Sequence, residues 1–191
     1  MIPISIMPSN KASGADNQQE RLKTIGWITG FVDGEGCFTV SITNFNVSKP
    51  WYQVFPEFVV TQSESSVKAL ERIKEYFQCG QIHRNKRKDG RQEDLMKYCV
   101  RSISDLQNKI IPFFEENKLA THKHNDFLIF RKIIKLMAKK HHLKKTGLVK
   151  IVHLMGTMNN RKKNPKFLES SETIRRILQM EKRYSPISMA T

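Results

Sequence analysis

One run constrains this chain more than any other: Trp27-Ile28-Thr29-Gly30-Phe31-Val32-Asp33-Gly34-Glu35-Gly36, where an apolar helical pattern ends in an acidic, glycine-rich turn. Gly30 and Gly34 lie one helical turn apart, so they form a stripe without side chains on which a second helix can approach backbone to backbone. Two helix ends brought together in this way each deliver a carboxylate, Glu35, into a narrow shared site. Paired carboxylates that accept hard divalent cations recur in phosphodiester hydrolysis. Taken alone, the run has a plainer reading, with Gly34 and Gly36 as caps that stop a helix before a strand and Asp33 and Glu35 as solvated turn acids. The rest of the chain weighs between the two.

The 191 residues fit one domain with a sizeable core, and 33 Lys and Arg against 18 Asp and Glu leave a formal net charge of +15. Such an excess points to a polyanionic partner. Nucleic acid is favoured over a membrane, because no apolar run approaches the roughly 18 residues that a span needs and the basic residues occupy loops and hairpins as well as helices. The plainer alternative is a basic protein without a specific ligand. Cys37, Cys79 and Cys99 are odd in number and widely spaced, which predicts reduced thiols and no zinc knuckle. His122, His124, His141 and His142 lack partners at metal-ligand spacing and read as surface or phosphate-facing residues. Met1 to Ser13 fits neither a secretory signal nor an Arg-rich transit peptide, so the expectation is a protein used where it is made and not secreted.

The first 18 residues read as a flexible arm, with Asp16 as a helix cap, and Arg21 to Val32 carry Leu22, Ile25, Ile28 and Phe31-Val32 at helical spacing. After Gly36 the period changes to two, with Phe38, Val40 and Ile42 alternating with Thr39, Ser41 and Thr43. A second strand runs from Trp51 to Gln62 with Tyr52, Val54, Phe58 and Val60 inward, and Pro56 predicts a bulge or an edge. The helix Ser65 to Phe77 follows, stopped by Cys79-Gly80. A basic strand from Gln81 enters an Asp-Gly turn at Asp89-Gly90, and Met96 to Ser102 returns beside it. Helices close the chain: Leu106 to Glu116, broken by Pro112; His124 to His142, continued by Leu148 to Met158; and a last one from Ser170 or Ser171. The resulting division is an arm (1–18), one domain (19–183) and a tail (184–191).

A polar, basic face on an antiparallel sheet matches the DNA major groove in width and curvature. Parity selects its residues: Thr39, Ser41 and Thr43 on the first strand, Gln53 on the second, and Lys97, Cys99 and Arg101 on the fourth, given that Tyr98 and Val100 face the core. His83, Asn85 and Arg87 extend the face along the basic strand into its turn. Arg161 and Lys163, in the loop before the last helix, are candidate phosphate contacts.

These features resemble the LAGLIDADG homing endonucleases of the single-motif type. The likeness covers about residues 20 to 180 and includes Val60-Thr61-Gln62, the stretch Leu119 to Phe127, and Gly147-Leu148-Val149-Lys150-Ile151-Val152. It implies a mixed α/β fold with an αββαββα core and a saddle-shaped antiparallel sheet. It also implies that Glu35, assisted by the Gly34 carbonyl, binds catalytic Mg²⁺, with two or more divalent ions at a dimer interface. Gln62 then corresponds to the residue that orders the attacking water, and Lys123 to the one that stabilises charge on the phosphate. Asp33 is expected to cap backbone amides across the helix pair. Ile28-Thr29 replaces the usual Leu-Ala opening, and Glu replaces the commoner Asp as ligand.

With one motif the chain supplies one carboxylate, whereas double-strand cleavage needs two nicks. The expectation is therefore a homodimer through Gly30 and Gly34, flanked by Trp27 and Asp33, acting on a pseudopalindromic double-stranded DNA. The product is a staggered double-strand break that promotes intron mobility, in a mitochondrion or chloroplast if the intron resides there and otherwise in cytoplasm or nucleoid. Two alternatives remain: an RNA-splicing maturase that binds intron RNA, and a non-catalytic DNA-binding regulator.

Overall fold

In the computed structural model, which describes residues 14–44, 52–86, 93–159 and 172–182, the change of period at Gly36 is a sharp boundary. Helix α1 spans Gly14–Glu35 and strand β1, Gly36–Asn44, follows without an intervening residue. Strand β2 (Tyr52–Ser63), a 3-10 turn (Glu64–Ser66) and α2 (Val67–Phe77) come next, then β3 (Gln81–Asn85) and β4 (Leu95–Val100). The closing helices are α3 (Ile103–Asp105), a π turn (Leu106–Ile110) leading into α4 (Ile111–Glu116), α5 (Lys123–Ala138), α6 (Lys145–Met155) and α7 (Glu172–Lys182). The four strands form one antiparallel sheet, as the resemblance implied, and their order in it is β1-β2-β4-β3.

Even-numbered residues of the strands face the helices. Phe38, Val40, Val54, Phe58, Val60, Tyr98 and Val100 are all buried. Phe38 lies at the centre, with its ring 5.3 to 5.5 Å from those of Phe58, Phe114, Phe127 and Phe130. Burying one such ring contributes about 1.5–3 kcal/mol, so this cluster holds α4 and α5 on one face of the sheet and leaves the odd-numbered face open. Ile28 and Val32 of α1 join the same core.

Several local expectations are corrected. Helix α1 begins at Gly14, so Asp16 lies in its first turn rather than at its cap, and residues 14–18 are helical rather than an arm. Pro56 causes no bulge, since the β1–β2 register runs unbroken from Gly36↔Val60 to Asn44↔Tyr52 with Pro56 opposite Val40. It does lie on a local edge, because the β2–β4 ladder covers only Phe58 to Ser63, and a missing N–H is harmless there. Pro112 does not break its helix, because the π turn just before it shifts the bonding so that the absent amide is not required. The α2 stop is Gln78, left-handed at φ 48°, rather than Cys79; Gly80 follows at φ +75°, where a Cβ would lie 2.8 Å from the Cys99 carbonyl. Finally, α5 ends at Ala138 and α6 starts at Lys145. Gly147 belongs to the first turn of α6, where a Cβ would collide with the His141 carbonyl.

Candidate active site and sheet face

The end of α1 is fixed from α5. The Asp33 carboxylate accepts hydrogen bonds from the Ala120 amide (2.8 Å), the Thr121 amide (3.0 Å) and the Thr121 hydroxyl (2.6 Å). Partial burial pushes the Asp33 carboxyl up, but these donors and the Lys123 charge outweigh it and hold the group below the usual carboxylate range. Asp33 therefore caps amides of its own chain just ahead of α5, instead of amides across a helix pair. Lys123 opens α5, and its ammonium donates to the carbonyls of Val32 (2.9 Å) and Gly34 (3.1 Å), the last turn of α1. Burial lowers the Lys123 pKa, opposed by Cys37, Asp33, Glu35 and Asp126 around it.

Glu35 is exposed at this junction, and no described residue makes a salt bridge or hydrogen bond with its carboxylate. Gln62 lies two residues beyond Val60, the partner of Gly36, at the end of β2 nearest the α1 terminus. The fold thus brings Gly34, Glu35 and Lys123 together at one helix end, with Gln62 on the adjoining strand. The oxygen donors there, a carboxylate and a carbonyl at the negative end of a helix, suit a hard cation such as Mg²⁺. The Gly34 carbonyl already accepts from Lys123, and its second lone pair leaves room for another partner.

The glycine face of α1 is open. A Cβ built on Gly30 or Gly34 meets nothing within 4 Å, and the same holds for Gly26 one turn earlier, which lengthens the expected stripe. At about 100° per residue this stripe lies nearly opposite Ile28 and Val32, which bind α1 to the core. Leu22 continues the stripe and is exposed. Trp27 flanks it, half-buried, with its ring 5.1 Å from Phe31 and under the Arg72 guanidinium at 4.6 Å.

The odd-numbered sheet face carries the expected polar rows. Ser41, Thr43, Gln53, His83 and Asn85 are exposed and Thr39 is half-buried. Cross-strand register aligns Thr43 with Gln53 and His83 with Lys97. Lys97, Cys99 and Arg101 share this face as parity required, yet they are not free: all three contact Glu57. Cys99 is buried, only 4% exposed, which removes it from the groove-reading set. Arg101 lies one residue past the end of β4. Arg87, Arg161 and Lys163 lie outside the described residues, as do 1–13 and the tail 184–191.

Three further residues shape the site without having been singled out from sequence. Glu57 is one; an acid on a basic face carries no signal of its pairing. Asp126, 8% exposed, accepts the Asn159 amide at 2.8 Å, while the Asn159 side chain donates to the Phe38 carbonyl at 2.9 Å. Asp126 stands three residues after Lys123, a spacing that places both on neighbouring turns of α5, which is the available signal. No disulfide joins Cys37, Cys79 and Cys99.

An α/β unit that presents one carboxylate at a glycine-faced helix end, beside a polar antiparallel sheet, defines the class of this protein. The chain belongs to the LAGLIDADG endonuclease family, whose model matches residues 28–134. Among curated proteins it is 31% identical over 140 residues to a probable intron-encoded endonuclease 3 of Neurospora crassa, covering 72% of this chain and 25% of that protein. Of solved structures, the homing endonuclease I-TnaI shares 33% identity at a TM-score of 0.66, over 82% of this chain and 96% of that one. The LAGLIDADG homing endonuclease I-SmaMI, solved bound to cleaved DNA, shares 35% identity at a TM-score of 0.65, over 72% and 44%. The chain spans 25% to 33% of the length of the Podospora and Neurospora relatives that it matches. No described helix is long and apolar enough to cross a membrane.

Proposed function

We propose that this chain is a site-specific homing endonuclease that hydrolyses double-stranded DNA as a homodimer, with Mg²⁺ as its cofactor. The observation that carries the reading is the exposed carboxylate of Glu35 at the end of α1, held beside Lys123 and next to an open glycine stripe. Two copies joined along Gly26, Gly30 and Gly34 would bring two such ends together, and each would serve one strand. Glu35 and the Gly34 carbonyl would hold a divalent ion, which when bound neutralises the scissile phosphate and lowers the pKa of the attacking water. Gln62 orients that water through its side-chain amide. Lys123, kept close by its bonds to α1, adds positive charge where negative charge builds on the phosphate. Membership of the family and the DNA-bound I-SmaMI neighbour support the substrate. The relatives named for introns support an origin in a mobile intron, hence an organelle where that intron is carried there.

A second reading, an RNA-splicing maturase, draws on the exposed Lys139, Lys140, Lys144 and Lys145 at the turn between α5 and α6. Incubation with a pooled DNA target library and Mg²⁺ separates the two, since sequenced double-strand ends are expected from the endonuclease alone. In that assay Glu35→Gln is expected to abolish cutting while leaving specific DNA affinity within about tenfold, because the lost charge serves the ion and not the groove. Cutting near the wild-type rate would remove Glu35 from the metal site.

A further inference from the structure

An acid in the middle of a face that meets a polyanion is costly unless it is given something to do, and Glu57 is such an acid. It sits on β2 opposite Thr39 of β1, on the odd-numbered side of the sheet. The register that pairs Phe58 with Val100 puts Arg101, one residue past β4, next in line, so Thr39, Glu57 and Arg101 follow one row across the face. Glu57 Oε1 accepts from Arg101 Nε, and Glu57 Oε2 accepts from Lys97 Nζ at 3.3 Å. The Cys99 thiol closes over Oε1 at 3.6 Å. The Glu57 side chain is 18% exposed while that of Arg101 is 59% exposed, so the acid is sunk and the guanidinium stands over it.

The atom that is held matters. Engaging Arg101 through Nε leaves its two terminal nitrogens, the pair that reaches O6 and N7 of guanine end on, outside the contact with Glu57 on a side chain that is mostly exposed. The same carboxylate cancels one of the two positive charges in this part of the face, which lowers attraction to phosphates of any sequence. We propose that Glu57 is a positioning residue for base recognition: it splints Arg101 for guanine and trades general DNA affinity for discrimination at one base pair in each half-site. This rests on the reading of the sheet face as a DNA-binding surface.

The test is equilibrium binding to two probes, a duplex library randomised through the half-site and a single random-sequence duplex titrated with salt. Wild type should select one base strongly at the Arg101 position. Glu57→Gln should flatten selection at that position by about tenfold or more and bind the random duplex more tightly, with a salt slope steeper by about one unit. Glu57→Asp keeps the charge but pulls it back by one methylene, so it should flatten the same position and leave the salt slope as in wild type. Arg101→Ala should flatten that position too, and combining it with Glu57→Gln should flatten it no further. A selective wild type whose preferences are unchanged in both Glu57 variants, or changed at a different position from Arg101→Ala, overturns the splint alone. A wild type that selects no sequence from the library overturns the DNA-reading function together with it.

Discussion

Asp33 and Lys123 tie α1 to α5 in opposite senses, one accepting from amides ahead of α5 and the other donating to carbonyls at the end of α1. Because the folded Asp33 carboxyl is held below its unfolded value, its contribution to stability is fully present above about pH 4 and is lost as pH falls through the lower folded value. Thermal melts from pH 6 to pH 3 should therefore show a smaller acid-induced drop for Asp33→Asn than for wild type. An equal drop would mean that the latch contributes nothing. Lys123→Met should lose cleavage and also about 1–3 kcal/mol of stability, since two carbonyls lose a charged donor, and denaturant titration reads the second effect independently of the first. The expectation that Asp33 acts as a cap placed its amides across the helix pair, whereas they are those of Ala120 and Thr121. A motif states what its own residues do, whereas Thr121 lies 88 residues downstream and is brought to Asp33 only by the packing of α5. Glu57 was invisible for the same reason, as its partners Lys97 and Arg101 lie 40 and 44 residues on, on β4 and just past it.

At the scale of elements, three glycines in seven residues behave differently. Gly30 and Gly34 have open space where a side chain would go, while a Cβ on Gly36 would lie 2.6 Å from Val32 Cγ1 and 2.8 Å from the Val32 carbonyl. Gly30→Ala should raise the stability of the isolated chain by about 0.5–1 kcal/mol through helix propensity, whereas Gly36→Ala should cost about 1–3 kcal/mol through overpacking. Gly30→Leu should fold normally and yet abolish self-association and cleavage together, and light scattering on the variant checks this. A dimer that survives the leucine would move the interface elsewhere. The strands were the most legible elements, because a period of two with one apolar face leaves a single parity for every residue from Phe38 to Ile42. Helix boundaries were less so: Lys139, Lys140, His141 and His142 after Ala138 include no Gly or Pro to mark a stop, and the left-handed backbone of Lys140 that ends α5 (φ 58°) belongs to a residue with no such preference.

The whole molecule combines a core on one side of a sheet with a surplus of 15 positive charges that the core does not use. Affinity for DNA should accordingly fall steeply with salt, by about 10³-fold or more between 50 and 200 mM if at least six phosphates are neutralised, as filter binding across that range would show. The same view gives the pairing of Asp126 with Asn159 a meaning separate from catalysis. β1 is an outer strand, and its Phe38 carbonyl points away from β2 toward the side-chain amide of Asn159, which Asp126 holds in turn through the backbone. An outer strand left bare is a template on which another chain can add, and a nine-residue one such as β1, with one apolar face, invites stacking without limit rather than a closed pair. Asn159, four residues past α6, is thus a guard on that edge, and its loss would be read as turbidity on storage well before any loss of secondary structure.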